Sequence, residues 1–231
     1  MVEYQDELVR FQAAVGRELT SEDEERVLDD LISQLLLAQA AAENGYKMTE
    51  TVLQDRLDQL IEGMGGKAAF DDWLVSNNYV EDSFRGALAR SISAAWMRDQ
   101  IAASVPEAME QVHAQHILVF DAQEANLILG RIQAGADFSA LAFEYDPIAR
   151  GDLGWFPRGY LLEPRVEEAA FELQLGQHSE VIETQTGYHI VFILEMDPAR
   201  ALDPDARLVL QTTALQEWLE RRKTESDIQI R

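Results

Sequence analysis

The hydrophobic period of this chain changes near its middle, and that change constrains the fold more than any other feature. Up to about Ala103 the apolar residues recur at spacings of three and four, the mark of amphipathic helices. Tyr4, Leu8, Phe11 and Val15 share one such face, which Gly16 ends. A second helix runs from Ser21 through Val27, Leu31 and Leu36 to Asn44-Gly45; Ser21 and Glu24 are spaced as a capping box. The acids Glu22 to Glu25 suit the positive end of its dipole and read as helix-start chemistry rather than an ion site. Thr49 opens a third helix that the Gly63 and Gly65-Gly66 region closes, Lys67 to Val75 forms a fourth, and Glu81 to Ala103 a fifth.

At Val105-Pro106 the helical pattern stops, and from Val112 to Phe120 it becomes strand-like. Asp121 to Gly135 and Phe138 to Tyr145 read as helices, Leu153 to Phe156 as a short strand, and Val166 to Leu173 as another helix. Val181 to Thr184 and His189 to Met196 are strands joined through Gly187, which gives the order β-α-α-β-α-β-β. Beyond Pro198 and Pro204, Asp205 to Thr224 is a helix with a single apolar stripe of Leu208, Leu215, Trp218 and Leu219. Such a stripe without a partner is unstable in water, so this helix is expected to pack on the N-terminal ones. The fold class is therefore α+β. An all-α domain over 1–106 plus 204–231 is completed by the C-terminal helix, and a domain over 111–197 is inserted into it. The linkers at 104–111 and 197–204 are expected to lie side by side.

Apolar residues at 47 % and charged residues at 26 % indicate a globular chain. The net charge of −23 repels phosphate backbones and anionic lipid, which argues against a nucleic-acid partner. The excess is concentrated in the first two regions: 22 acids against 9 bases over 1–110 and 13 against 4 over 111–196, with 7 against 6 beyond. With no cysteine, disulfides, zinc thiolates and cysteine nucleophiles are excluded. No apolar run is long enough to span a membrane, the longest being Leu35 to Ala42. Any signal or anchor is expected to lie outside this sequence.

Five segments then carry a resemblance: H-I-L-V (116–119), G-A-D-F-S-A-L-A (135–142), R-G-D-L-G-W-F (150–156), E-E-A-A-F (167–171) and T-Q-T-G-Y-H-I (184–190). In order and approximate spacing they resemble the motifs of the parvulin, or PpiC-type rotamase, family of peptidyl-prolyl cis/trans isomerases, and they cover essentially all of 112–196. The resemblance implies a four-stranded antiparallel sheet and places His116, Thr184, Thr186 and His189 on the family's inner polar network. Asp146 falls where parvulins carry an aspartate or cysteine. Leu153, Leu161 and Val166, with Phe171, fall at the proline-holding pocket. The flanking helices, through G-G-K-A-A-F-D-D-W-L (65–74) and the returning helix, resemble the chaperone domain of SurA-like and PrsA-like bacterial foldases. That likeness implies an extracytoplasmic protein with unfolded or proline-containing polypeptide clients; a homodimer through exposed arms is left open. Two departures stand out. The segment G-Y-L-L-E-P-R-V (159–166) is one residue longer than the family's and lacks its aromatic residue, and the loop 146–151 is short. The stretch D-A-Q-E-A (121–125) is not basic, which argues against phosphoserine-proline selectivity.

Rotation about a peptide bond faces a barrier of roughly 18–20 kcal/mol. A catalyst for it needs neither metal, cofactor nor nucleophile. It needs a dry groove for the proline ring and polar groups that favour the twisted amide. Two histidines and two threonine hydroxyls can supply the polar part, each ring fixing the tautomer of the other. Competing readings are plain: the histidines simply satisfy one another in the core, or Asp146 before Pro147 is only a turn former. His113 and His116 fall on opposite faces of a strand and do not form a metal pair. His178 is read as a solvated turn residue. The rival to an isomerase is a holdase that grips unfolded chains in its helical cleft. A hydrolase finds no nucleophile motif.

Overall fold

The computed structural model describes residues 2–228. Its helices α1 (Val2–Val15), α2 (Ser21–Glu43), α3 (Glu50–Gly63), α4 (Lys67–Ser76) and α5 (Glu81–Ala103) come first. There follow β1 (Ala108–Val119), α6 (Ala122–Gln133), α7 (Phe138–Tyr145), β2 (Asp152–Pro157), α8 (Pro164–Glu172), β3 (Ile182–Glu183), β4 (Tyr188–Ala201) and α9 (Pro204–Glu225). Contacts divide the chain into two units. One runs to Ser104 and resumes at Ala214; the other is Val105–Thr213.

In the helical unit the small residues Ala40 and Ala41 let α2 approach α5 closely. Leu37 packs there with Ala94, Met97 and Ile101. Ala214, Leu215, Trp218 and Leu219 of α9 lie against this cluster, and Arg222 pairs with Glu43 at 2.5 Å and Lys223 with Asp29 at 2.6 Å. A second cluster of Leu57, Phe70 and Leu74 is closed by Trp73, Tyr79 and Phe84. The Phe84 ring meets Phe70, Trp73 and Tyr79 edge-on at 5.4–5.6 Å. The cap of α2 differs from the sequence expectation by one residue. Thr20, not Ser21, is the N-cap: its hydroxyl accepts from the Asp23 amide at 3.2 Å, and the Asp23 carboxylate accepts from the Thr20 amide at 2.9 Å. Arg17 decides this choice by forking onto both Asp23 oxygens at 2.6 and 3.0 Å.

In the other unit all four strands are antiparallel, in the order β2-β1-β4-β3. Helices cover both faces of the sheet. Ile117, Val119 and Ile190 face α6 and α7 through Ile128, Leu129, Phe138 and Leu141. Val112, Ala114, Val191 and Ile193 face α8 through Val166, Ala170 and Phe171. The central pair is longer than the sequence pattern suggests: it extends to Ala108 opposite Ala201, so most of the expected linkers 104–111 and 197–204 is strand. Pro198 lacks a ladder donor and sits where the register is irregular between Met109 and Gln111. Leu153 and Leu194 are likewise skipped in the register with β1, and such bulges re-aim side chains.

Candidate active site

Alternation along β1 puts His116 on the face that carries Val112 and Ala114, and register places Val191 opposite it. One step away Leu118 lies opposite His189, so the two histidines share the α8 side of the sheet. Their Nδ1 atoms are 3.3 Å apart and the rings stack at 5.5 Å. Beyond His189 the turn between β3 and β4 supplies two hydroxyls. Thr184 Oγ1 lies 3.1 Å and Thr186 Oγ1 3.3 Å from His189 Nε2, and the two oxygens are 2.9 Å apart. Thr184 also knits the turn, since its amide donates to the Gly187 carbonyl at 2.8 Å and the Thr186 amide donates to its hydroxyl at 3.1 Å. Burial holds both imidazoles below the ordinary histidine range. For His116 the neighbouring ring adds to this and Asp146 opposes it; for His189 the opposing charge is Glu163.

Asp146 stands outside this chain of contacts. One of its oxygens accepts from the amides of Ile148 and Ala149 at 3.1 and 3.0 Å, the other from Gly151 at 3.2 Å. Those donors hold its carboxyl below the usual range. The loop it ties brings Gly151 against β1, where the Gly151 carbonyl accepts from the His116 amide at 2.8 Å. Its contacts are therefore those of the turn former. Leu153 and Leu161 are half-buried against the α8-side core, whereas Val166 and Phe171 are 2 % and 8 % exposed and form its floor.

Two carboxylates that no sequence motif singles out tie this region together. Glu163, the N-cap residue of α8, accepts the Thr186 hydroxyl at 2.7 Å. Glu167 accepts from the consecutive amides of Gly159, Tyr160 and Leu161 at 2.6, 2.9 and 2.8 Å, fixing the loop that carries Leu161. Pro164 at the first position of α8 signals the N-cap in the sequence; where the Glu163 side chain goes is tertiary. His113 faces the other way, between Glu195 at 3.1 Å and Asp152 at 2.9 Å and stacked on Trp155. His178 is not a solvated turn residue: it is half-buried, bridges to Phe192, and its Nδ1 lies 2.9 Å from the Ser179 carbonyl oxygen. Among the described residues no group of three or more acidic or histidine side chains is arranged to hold a metal, and no helix is long and apolar enough to cross a membrane.

The family model described as the rotamase PPIC-type PPIASE domain matches residues 101–195. Over that stretch the chain carries a PpiC-type parvulin PPIase domain. Among curated proteins, a foldase protein PrsA of Caldanaerobacter subterraneus is 32 % identical over 183 residues, 76 % of this chain and 58 % of that one. A foldase protein PrsA of Halalkalibacterium halodurans is 43 % identical over 94 residues, 38 % of this chain and 28 % of that one. The chain thus spans less than two thirds of either relative. The crystal structure of a peptidylprolyl isomerase (PrsA) from Bacillus cereus superposes with a TM-score of 0.58 at 23 % identity, over 92 % of this chain and 90 % of that one. A second, from Bacillus anthracis, gives 0.52 at 24 % identity, over 88 % and 99 %. Both share this chain's fold.

Proposed function

We propose that this chain is a foldase whose Val105–Thr213 unit accelerates cis/trans isomerisation of X-Pro bonds in unfolded or secreted polypeptides. The observation that carries the reading is the continuous chain His116–His189–Thr184/Thr186 on one sheet face, on the same side as the half-buried Leu153 and Leu161. Uncatalysed isomerisation takes tens to hundreds of seconds because the amide loses its resonance as it twists. No bond other than the rotating one changes. The groove therefore works by gripping the proline ring on Leu153 and Leu161 and withholding water. The polar chain works by offering hydrogen bonds that suit the twisted amide, whose nitrogen has become an acceptor. Burial keeps both rings neutral at neutral pH, so each can donate through one nitrogen and accept through the other. In this reading Asp146 positions the loop beside His116 and touches no substrate. The likeness to foldases supports an extracytoplasmic setting.

A second reading has its own observation. The helical unit holds a cavity of about 480 Å³ lined by Phe11, Leu60, Met64, Trp73, Tyr79 and Phe84, with Glu7 and Asp30 at its edge. An apolar side chain of an unfolded client fits such a site, and a holdase activity follows. Exchange NMR on short X-Pro peptides tests the first reading, with the intact chain and a His116→Asn variant. Acceleration that the variant loses, while it still suppresses client aggregation, supports both readings. No acceleration by a folded wild-type chain rejects the isomerase and leaves the holdase.

A further inference from the structure

Glu163 lies outside the histidine pair, yet the hydrogen-bond inventory leads back to it. The two Nδ1 atoms of His116 and His189 face each other at 3.3 Å. Two bare nitrogens there would repel and two N–H groups would collide, so in the neutral pair one ring donates to the other. That leaves two proton arrangements, and whichever atom His189 protonates fixes His116 as well. The choice is made at His189 Nε2, which faces Thr184 Oγ1 and Thr186 Oγ1. Thr186 has one hydroxyl proton, and the Glu163 carboxylate, an acceptor only, takes it at 2.7 Å. Thr184 has one as well, free to turn to the Gly187 carbonyl or to His189 Nε2, each 3.1 Å away, as the His189 tautomer requires. With Glu163 ionised, His189 Nε2 meets in Thr186 an oxygen whose proton is committed elsewhere, and a negative charge lies one hydroxyl further on.

We propose that Glu163 is a positioning residue that acts through the Thr186 hydroxyl to place the pair's protons on His189 Nε2 and His116 Nδ1. His116 Nε2 is then left as a bare acceptor, and it has no protein hydrogen-bond partner among the described residues. The charges that act on the pair come from two sides. Glu163 faces it from the start of α8, and Asp146 from the loop after α7, with its oxygens held by three amides. Only Glu163 is linked to the pair by hydrogen bonds. The geometry is independent of catalysis; only its use, an acceptor offered to the substrate, rests on the isomerase reading.

The test is long-range ¹⁵N–¹H NMR of the histidine rings in the intact, ¹⁵N-histidine-labelled chain at pH 7.5. It compares wild type with Glu163→Gln and Thr186→Val, each checked for a folded amide spectrum. Wild type should show His189 protonated on Nε2 and His116 on Nδ1. Glu163→Gln removes the charge and can donate to Thr186, freeing the hydroxyl proton for His189, so the two tautomers should exchange places or average. Thr186→Val cuts the link and should do the same with Glu163 intact. Wild type with His189 protonated on Nδ1, or tautomers unchanged in both variants, overturns the proposal. Because this readout needs no turnover, a chain that fails to isomerise X-Pro peptides leaves the outcome intact.

Discussion

Gly151 fixes where β1 lies at His116, and replacing it by alanine tests whether that fixing matters. Its φ is +65°, and a Cβ there would sit 2.0 Å from the His116 carbonyl oxygen and 3.1 Å from its carbon. Both neighbours are backbone, so no side chain can swing away. Bringing the contact to an ordinary distance requires the loop and β1 to part by at least about 1 Å, which breaks the 2.8 Å bond from the His116 amide to the Gly151 carbonyl. Gly154 is the matched control: its φ is +66°, and a Cβ there meets nothing within 4 Å. Gly154→Ala should then cost only the left-handed strain, roughly 1–2 kcal/mol. Gly151→Ala adds about 0.5–1.5 kcal/mol for the lost hydrogen bond, and more for whatever clash is unrelieved. Misplacing a site group by 1 Å can cost about 10²-fold in rate. Urea denaturation and X-Pro exchange NMR on both variants read the two effects. Equal stability and equal exchange in the two would refute the argument that this contact seats His116.

Acidification should weaken the fold through the histidine pair. Burial lowers both pKa values below that of the unfolded chain, near 6.5. The unfolded state therefore binds more protons between the two values, and stability is fully present above about pH 6.5 and falls below it. The urea midpoint should drop from pH 7.5 to 5.5, and drop less in His189→Asn. At the start of α2, Thr20→Ala should cost about 0.5–2 kcal/mol and Ser21→Ala close to nothing, by thermal melting; the reverse order would restore Ser21 as the cap. Glu167→Gln removes the charge that gathers three amides around Leu161. Peptide affinity in NMR titration should fall with little change in the melting temperature, and an unchanged affinity would remove the loop from the proline site.

Much of the sheet unit was legible because its signals are local. Alternation alone put His116 with Val112 and Ala114, and the order β-α-α-β-α-β-β follows from period changes and turn residues. The lone stripe of α9 likewise announced a partner, and Leu215, Trp218 and Leu219 found it on α2 and α5, whereas Leu208, before the helical unit resumes at Ala214, stays exposed. What escaped was set by contacts distant in sequence. Thr20 prevails over Ser21 because Arg17 holds Asp23. Glu163 reaches Thr186, 23 residues on, from a position that looks like a bare helix start. For Asp146 the sequence left two readings open, a site carboxylate and a turn former, because the residue type before Pro147 suits both. That three amides of its own loop donate to it is set by the fold of residues 146–151.

The return of α9 also dictates an order of events during synthesis. The contacts that define the sheet unit lie within residues 105–213, so none of them has to wait for the chain beyond Thr213. The helices α1 to α5 precede it, yet their core lacks Leu215, Trp218 and Leu219, and the pairs Arg222–Glu43 and Lys223–Asp29 join residues 179 and 194 apart in sequence. Contacts that distant form late and slowly. Helices made before the sheet unit are thus finished after it, and until then the nascent bundle exposes the apolar face that α9 later covers, the kind of surface a chaperone seeks in a client.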